Sequence, residues 1–275
     1  MADVSFPPTL DTPVPRPAQR PKRLSANRTI AALGLREMIT SYGRSPGGWL
    51  WAIIEPAAAI ALLAFAFSLA FRAPPLGSSF ALFYATGFLP YMLFHDISQK
   101  VATSIRFSRP LLNFGAVSYL DTLIARFLLN LLTHLLVIAL VLTALLYVAR
   151  SNAYVDARLL FLALAASSAL AAGVGTLNCY LFTAFPAWER LWAIALRPLF
   201  IISGVVFLFE DVPAAYQTLL AANPLFHVTG LMRAAIHPTY EPTYINLWFV
   251  FGVAVGTSVL GMLCLDKFHD ELIHK

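Results

Sequence analysis

Six long apolar segments, separated by short connections, constrain this sequence more than any other feature. Each segment is close to the length of about 20 residues that an α-helix needs to cross the hydrocarbon core of a bilayer. Only 12% of the 275 residues are charged, whereas about 25% are charged in an average soluble domain. The sequence therefore predicts an all-α polytopic membrane protein with six transmembrane helices. The predicted spans cover residues 49–71, 80–101, 121–148, 158–183, 192–209 and 243–265.

The stretch after the fifth predicted span is too broken to make another full crossing. Two apolar pieces, 212–222 and 225–236, are separated by Asn223-Pro224. Each piece is shorter than a spanning helix, and non-helical backbone at membrane depth is tolerated only against protein or a water-filled cavity. We therefore predict a re-entrant helical hairpin between spans 5 and 6, at about residues 210–238, that helps to line a pathway.

The residues that flank the predicted membrane domain, 46–268, form separate parts of the chain. Residues 1–26 are rich in proline and lack the apolar core of a signal peptide, which indicates a disordered cytosolic tail. Residues 27–45 mix apolar and charged side chains and are too short to span, so they predict an amphipathic helix at the membrane interface. A helix on the surface of a soluble domain is disfavoured, because two tryptophans typical of membrane interfaces follow at once. Residues 269–275 are expected to form a short cytosolic tail.

Lysine and arginine residues are unevenly distributed among the connections. Most lie in the N-terminal region and in the second and fourth connections, whereas the opposite side has only Arg72, Arg150, Arg158 and Arg233. The positive-inside rule therefore places both termini and these two connections in the cytoplasm. The net charge of +5 is thus an orientation signal with anionic lipid as the expected contact, and nucleic acid is not an expected partner.

Motifs for catalysis or metal binding are missing from the sequence. No lysine follows a glycine, which excludes a G-x-x-x-x-G-K-[ST] phosphate loop, and the six histidines lack the spacing of metal ligands. Glu55 is interpreted as the only carboxylate well inside a span and as a structural partner for an arginine. His134 is expected to be packed and hydrogen-bonded rather than to relay protons. An ion-coupled carrier is therefore less plausible than a transporter powered by an external subunit.

The second connection, at about residues 103–119, has the composition of a docking element. It alternates apolar residues with Arg106 and Arg109, and Pro110 and Gly115 divide it. An exposed apolar face of this kind suits the groove of a partner protein. A helix that lies on lipid is the alternative that composition leaves open.

Aromatic residues are frequent on the first, second and fifth predicted spans. Aromatic rings stack on the faces of sugars, and cations pair with anionic polymers. A single membrane aromatic is more often a packing or interface residue, so the set as a whole carries the prediction. The candidates for a substrate path are Phe65, Phe67, Phe71, Arg72, Tyr84, Phe88, Tyr91, Trp192, Arg197, Phe200, Phe207, His227 and Arg233.

Five stretches of the sequence carry a resemblance to a known family. They are residues 48–56 (GWLWAIIEP), 86–91 (TGFLPY), 111–121, 188–204 (beginning WERLW) and 223–238 (beginning NPLFH). Together they resemble the capsular polysaccharide export permeases of the KpsM type, which are the membrane subunits of type-2 ABC exporters. The resemblance covers about residues 28–270.

The resemblance implies a permease that has no catalytic site or cofactor of its own. It implies a homodimer that forms the channel, two copies of a cytosolic ABC ATPase that bind ATP and Mg²⁺, and a periplasmic adaptor of the polysaccharide co-polymerase type. The cargo would be a lipid-linked, acidic capsular polysaccharide that crosses the bacterial inner membrane. The second connection would be the coupling helix. The ATPase-coupling residues implied in this way are Ile105, Arg106, Phe107, Arg109, Leu111, Leu112, Phe114, Asp121, Glu189 and Arg190.

Two alternatives remain open on the sequence. The first is an ABC exporter permease with another cargo, such as O-antigen, teichoic acid or a small molecule. The second is a membrane-embedded assembly scaffold that transports nothing, and it predicts neither an ATPase partner nor a solvated path.

Overall fold

The computed structural model describes residues 26–42, 47–112, 117–149 and 155–274. Within these ranges the chain is built from α-helices and their connections. The helices are α1 (Ala26–Tyr42), α2 (Gly48–Ala70), α3 (Phe80–Ala102), α4 (Ser104–Leu112), α5 (Tyr119–Val148), α6 (Ala157–Ala184), α7 (Pro186–Ile202), α8 (Ala214–Ala221), α9 (Pro224–Ile236) and α10 (Leu247–His274). The predicted tail at residues 1–26 lies outside the described residues except for Ala26.

Four of the described helices, α2, α5, α6 and α10, are long and apolar enough to cross a membrane. The pair α8 and α9 also passes this test when taken as one unit, and it is bent by 99°. The break falls at the predicted Asn223-Pro224. The chain is thus an all-helical, multi-pass membrane protein. The count of six spans stays a prediction, since it requires that α3 and the 17-residue α7 also cross.

Helix α6 lies at the centre of the fold and packs against α10, α3 and α9. Its contact with α10 depends on small residues. A Cβ atom added at Gly173 would collide with the backbone oxygen of Ala254, and one added at Gly261 would lie 2.5 Å from the backbone nitrogen of Leu177. Because both positions are glycine, the two backbones approach closely, as is common where helices pack inside a membrane.

Helix α1 has nearly the predicted bounds. One face packs against the rest of the protein, and the other face is exposed. The helix packs along α5 and buries Thr29 and Glu37. On its other face Leu35 and Ile39 are 59% and 62% exposed. That apolar face fits the predicted interfacial location.

The helix that corresponds to the fifth predicted span is displaced from residues 192–209. α7 begins at Pro186, whose fixed φ suits the first position of a helix, and it ends at Ile202. Gly204 follows with φ of 74°, a left-handed conformation that interrupts the helix. Residues 203–213 therefore run without a helix, and the predicted bounds of this span are wrong.

Side chains of α9 and of its N-cap residue donate hydrogen bonds to backbone carbonyls at the end of α7 and just after it. We call residues 203–209 the extended segment because they prolong the chain beyond α7; their backbone forms turns and bends. The hydrogen bonds run from Asn223 Nδ2 to the carbonyl of Ile202 (3.1 Å), from Thr229 Oγ1 to that of Ser203 (2.8 Å), and from Arg233 Nη2 and Nη1 to those of Val205 (3.1 Å) and Phe207 (2.8 Å). They replace the helical hydrogen bonds that this backbone lacks, which a low-dielectric environment requires.

The predicted coupling helix is shorter than the expected 103–119. α4 ends at Leu112, and residues 113–116, including the predicted contact Phe114, lie outside the described residues. α5 then begins at Tyr119, where Ser118 and Asp121 form a reciprocal capping box. Asp121 is therefore a capping residue of α5.

Candidate functional site

Three adjoining cavities follow α2, α3 and α7. The polar cavity, of about 500 Å³, lies between α2, α3 and α5 and has Glu55 and Asp96 in its wall. The middle cavity, of about 550 Å³, shares these two residues and adds Arg197 and Phe200. The aromatic cavity, of about 880 Å³, shares Arg197 and Phe200 with the middle one. Neighbouring cavities have wall residues in common, and we call the row of three adjacent cavities the α2–α3–α7 groove.

Eight of the residues that were predicted from the sequence to line a substrate path lie in the groove. They come from three helices, from the residue that follows α2 and from the extended segment, as the prediction from separate spans requires. These residues are Phe67, Phe71, Tyr84, Phe88, Tyr91, Arg197, Phe200 and Phe207.

The aromatic side chains of the groove differ in how far they reach into it. Tyr84 and Tyr91 are 1% and 6% exposed, and the Tyr91 hydroxyl donates to the carbonyl of Leu196 at 2.8 Å. Phe71, in contrast, is 57% exposed, and Phe200, half-buried, meets the Tyr91 ring edge-on at 5.2 Å. The tyrosines thus form the rigid back of the groove, and the phenylalanines provide its accessible apolar surface.

Arg197 supplies a positive charge at the junction of the middle and aromatic cavities. It is exposed, and it has no ion-pair partner within 4 Å in the part of the chain that the structure describes. α7 is predicted to cross the membrane, and an arginine in the interior of such a helix has to face water or a polar partner, since lipid tails do not solvate it. The predicted crossing therefore requires that the groove is hydrated or occupied by a polar ligand.

Arg233 lies outside the groove and is 0% exposed. Besides its two hydrogen bonds to the extended segment, its guanidinium carbon lies 4.4 Å from the centre of the Phe83 ring. These contacts assign Arg233 to the support of the extended segment. From the sequence, Arg233 was predicted to lie at the external opening of the substrate path. In this structure its side chain is enclosed and does not reach the groove.

His227 is likewise enclosed, being 3% exposed. The backbone N–H of Asn246 donates to its Nδ1 at 3.2 Å, so Nε2 carries the proton and donates to the carbonyl of Ala221 at 2.8 Å. The imidazole thereby joins the end of α8 to the residue that precedes α10. It is a packing element in this structure and not part of the groove.

The remaining path candidates lie on other surfaces. Phe65 is 63% exposed, and Arg72 is exposed just beyond the end of α2. Trp192 is half-buried and stacks on Trp188 with ring centres 6.5 Å apart. None of the three lines the groove.

The predicted coupling residues of α4 divide between a buried and an exposed face. Ile105 and Leu112 are 1% and 6% exposed and belong to the core of this chain, so the expected exposed apolar face is wrong for them. Their apolar pattern arises because α4 packs on its own protein. Arg106 and Pro110 are exposed, whereas Arg109 and Leu111 are half-buried.

A surface ion pair links α4 to the beginning of α7. Arg106 Nη2 lies 2.8 Å from Glu189 Oε2, and both residues were predicted from the sequence as coupling residues. Arg190, next to Glu189, is exposed. The structure therefore brings the second and fourth connections together, as a shared docking region requires.

Phe107 of α4 is covered by two arginines. The guanidinium carbon of Arg126 lies 4.5 Å and that of Arg36 lies 5.2 Å from the centre of its ring. Arg126 also forms a buried ion pair with Glu37 of α1. Sequence reasoning missed this arrangement, and the available signal was an arginine inside the predicted span 121–148.

The polar cavity contains a cluster that the sequence analysis also missed. Asp96 of α3 accepts hydrogen bonds from His95 Nδ1 at 2.8 Å and is 2.9 Å from His134 Nε2. His134 is therefore hydrogen-bonded, as predicted, but Glu55 is not the only carboxylate inside the helices. Glu55 is exposed to the groove and forms no ion pair with any described residue, so its pairing with an arginine stays a prediction. Among the described residues, no group of side chains is arranged to hold a metal ion.

Comparison with known proteins gives a consistent result over most of the chain. Residues 28–237 match the family described as ABC-2 type transporter. The polysialic acid transport protein KpsM of Escherichia coli is 30% identical over 243 residues, which are 88% of this chain and 94% of the relative. The capsule polysaccharide export inner-membrane protein CtrC of Neisseria meningitidis serogroup A is 26% identical over 89% of this chain and 92% of its own length. BexB of Haemophilus influenzae, which bears the same description, is 26% identical over 88% of this chain and 91% of its own length.

Proposed function

The chain belongs to the ABC-2 type transporter family, together with the capsule polysaccharide export permeases, and from this premise we propose that it exports a lipid-linked, acidic capsular polysaccharide. It is a permease subunit, and ATP hydrolysis belongs to a separate subunit. We place ATP and Mg²⁺ on two copies of that cytosolic ATPase.

The proposed assembly contains two copies of this chain, which together form the channel in the bacterial inner membrane. Both termini lie in the cytosol, in accord with the distribution of arginine and lysine. A periplasmic adaptor of the polysaccharide co-polymerase type completes the export route. The bent pair α8 and α9 acts as a re-entrant hairpin, which its 99° bend supports.

The observation that carries this proposal is the position of Arg197 among the aromatic side chains of the groove. Phenylalanine faces provide sequence-tolerant stacking surfaces for sugar rings. A guanidinium binds carboxylate or phosphate groups through paired hydrogen bonds. A groove that combines the two suits a polymer of sugars with anionic substituents.

The contacts of α4 provide a route from the ATPase to this groove. α4 exposes Arg106 and Pro110, and Arg106 is paired with Glu189 in the first turn of α7. α7 also carries Arg197 in the groove wall. A displacement of α4 by the ATPase is therefore transmitted along α7 to the residues that face the polymer.

The test replaces Arg197 in the complete complex with its ATPase. We expect Arg197→Gln to reduce ATP-driven export of acidic polysaccharide strongly, and Arg197→Lys to retain part of it, because lysine keeps the charge but loses the paired hydrogen bonds. Arg158→Gln, at an exposed site in the first turn of α6, is the matched control and should export normally. Surface polysaccharide and the amount of assembled complex are measured together.

Undiminished export by Arg197→Gln would overturn the proposed path. If Arg197→Gln reduces the export of an uncharged polymer as much as that of an acidic one, the charge of Arg197 is irrelevant. That result would favour one of the other cargoes. The lipid that copurifies with the complex identifies that cargo. Absence of any ATPase in the purified complex would favour the scaffold alternative.

A further inference from the structure

The two ring nitrogens of His134 each face an oxygen atom. Nδ1 lies 2.9 Å from the backbone carbonyl of Asn130, one turn earlier on α5, and Nε2 lies 2.9 Å from Oδ2 of Asp96 on α3. The side chain of His134 is 10% exposed and that of Asp96 is 33% exposed, so the ring is largely enclosed while the carboxylate also borders the polar cavity. A carbonyl oxygen can only accept a hydrogen bond. Nδ1 therefore carries a proton.

This leaves Nε2 and the Asp96 carboxylate facing each other across a hydrogen-bond distance. A neutral imidazole has one N–H group, and here that group is already used at Nδ1. A neutral His134 beside an ionised Asp96 would put two lone pairs in contact, which is unfavourable for a largely enclosed ring. One additional proton between Nε2 and Oδ2 converts this repulsion into a charge-assisted hydrogen bond.

We propose that Asp96 and His134 form a proton-binding site in the wall of the α2–α3–α7 groove. The pair holds one proton more than a neutral histidine and an ionised aspartate would. His95 supports the site, because its Nδ1 occupies the other carboxylate oxygen of Asp96 at 2.8 Å. His95 in turn stacks on Tyr91 with ring centres 6.0 Å apart, which fixes its orientation.

The charged groups around the site come from each helix that packs there. α2 contributes Glu55, and α3 contributes Lys100 in addition to His95, all in the walls of the polar and middle cavities. α7 contributes Arg197 in the middle cavity. On α5, Arg126 is already paired with Glu37 of α1.

The sign of the effect on transport rests on the proposed function. With the proton bound, the pair is neutral overall, and Glu55 and Lys100 balance each other in the polar cavity. As the pH rises and the proton leaves, the Asp96 carboxylate loses its compensating charge and the polar cavity gains one net negative charge. An acidic polymer is then repelled from the groove. Export is therefore expected to fall as the pH rises through the loss of this proton.

The first experiment detects the proton directly and does not depend on the cargo. The full complex is prepared with ¹⁵N-labelled histidine, and the His134 ring signals are assigned by their absence in His134→Gln. At neutral pH both nitrogens should have the shifts of a protonated ring. In Asp96→Asn the ring should become neutral, because the asparagine amide donates to Nε2 and no extra proton is needed. A neutral His134 in the unmodified complex at neutral pH would overturn the proposal.

The second experiment measures export of acidic polysaccharide as a function of pH. The unmodified protein should lose export on the alkaline side, and Asp96→Asn should lose this dependence. His95→Gln keeps the Asp96–His134 pair and should retain the dependence. A dependence that survives in Asp96→Asn would refute the assignment. If Arg197→Gln exports normally while His134 is protonated, the proposed path fails and the proton site stands.

Discussion

The guanidinium of Arg126 on α5 donates from Nε to both carboxylate oxygens of Glu37 on α1, at 3.0 and 3.1 Å. Its Nη1 donates to Thr103 Oγ1 at 3.1 Å, and Arg126 and Glu37 are 6% and 2% exposed. A single side chain therefore connects the N-terminal helix, α5 and the residue that precedes α4. The N-terminal helix is part of the structure that holds α4 in place.

Glu37→Ala should destabilise the protein, because it leaves the Arg126 charge buried without a counter-ion. Loss of one partner of such a pair costs about 3–5 kcal/mol, which is measured as a lower unfolding temperature of the purified protein in detergent. Arg28→Ala, at an exposed position on the same helix, should leave the temperature unchanged. The double variant Glu37→Met with Arg126→Leu should recover most of the loss. If Glu37→Ala unfolds at the temperature of the Arg28 variant, the ion pair does not form.

Arg233→Ala should also lower stability, because two carbonyls of the extended segment lose their donors. An unsatisfied buried carbonyl costs about 1–3 kcal/mol, and the contact with the Phe83 ring is lost as well. Arg72→Ala provides the control, since Arg72 is exposed. The readout is thermal unfolding together with the yield of folded protein. Equal stability of the two variants would contradict the role assigned to Arg233.

Gly87→Ala should disturb the crossing of α3 with the extended segment. An added Cβ would lie 2.9 Å from both Cα and O of Val205 and 3.3 Å from Arg233 Nη2, and such overpacking costs about 1–3 kcal/mol. Gly252→Ala in α10 meets nothing within 4 Å. It should be neutral or stabilising by up to about 1 kcal/mol, since alanine favours a helix. Unfolding in detergent compares the two, and a harmless Gly87→Ala would mean that the segment lies elsewhere.

Charge reversal at the α4–α7 pair tests transmission from the ATPase. Arg106→Glu alone and Glu189→Arg alone should each reduce export, because two like charges then face each other, and the double swap should restore it. Stability should change by less than about 1 kcal/mol, as expected for a solvent-exposed pair. Export and ATPase activity of the assembled complex are measured side by side. A double swap that stays as impaired as the singles would show that the pair itself does not carry the coupling.

The parts of the fold that depend on local composition could be predicted from the sequence. Length and apolarity identify α2, α5, α6 and α10, and the Asn223-Pro224 break identifies the bend between α8 and α9. The end of α7 could not be predicted in this way. Residues 203–209 are as apolar as a span, and they leave the helix because Gly204 turns the chain and Arg233, far along the sequence, donates to their carbonyls.

The candidate site was predictable in its chemistry but not in its orientation. Aromatic residues on three spans were expected to share a path; in the structure Phe200 lines one cavity with Phe67 and another with Phe88, and their contact with a substrate stays a prediction. Apolar periodicity, however, does not distinguish burial within the chain from exposure to a partner. Ile105 and Leu112 were therefore predicted to contact the ATPase, whereas they are buried in this chain. The pairing of Asp96 with His134 joins two helices through a single contact, for which the sequence carries no repeated signal.

The dependence of the extended segment on α9 has a consequence for biogenesis. A ribosome delivers residues 203–209 before it delivers Asn223, Thr229 and Arg233, which donate to this stretch and to the adjoining carbonyl of Ile202. Until the later helix has emerged, these carbonyls have only water or the insertion machinery as partners. These hydrogen bonds are therefore completed late in synthesis, and a chain truncated before α9 lacks the donors that satisfy this stretch of backbone.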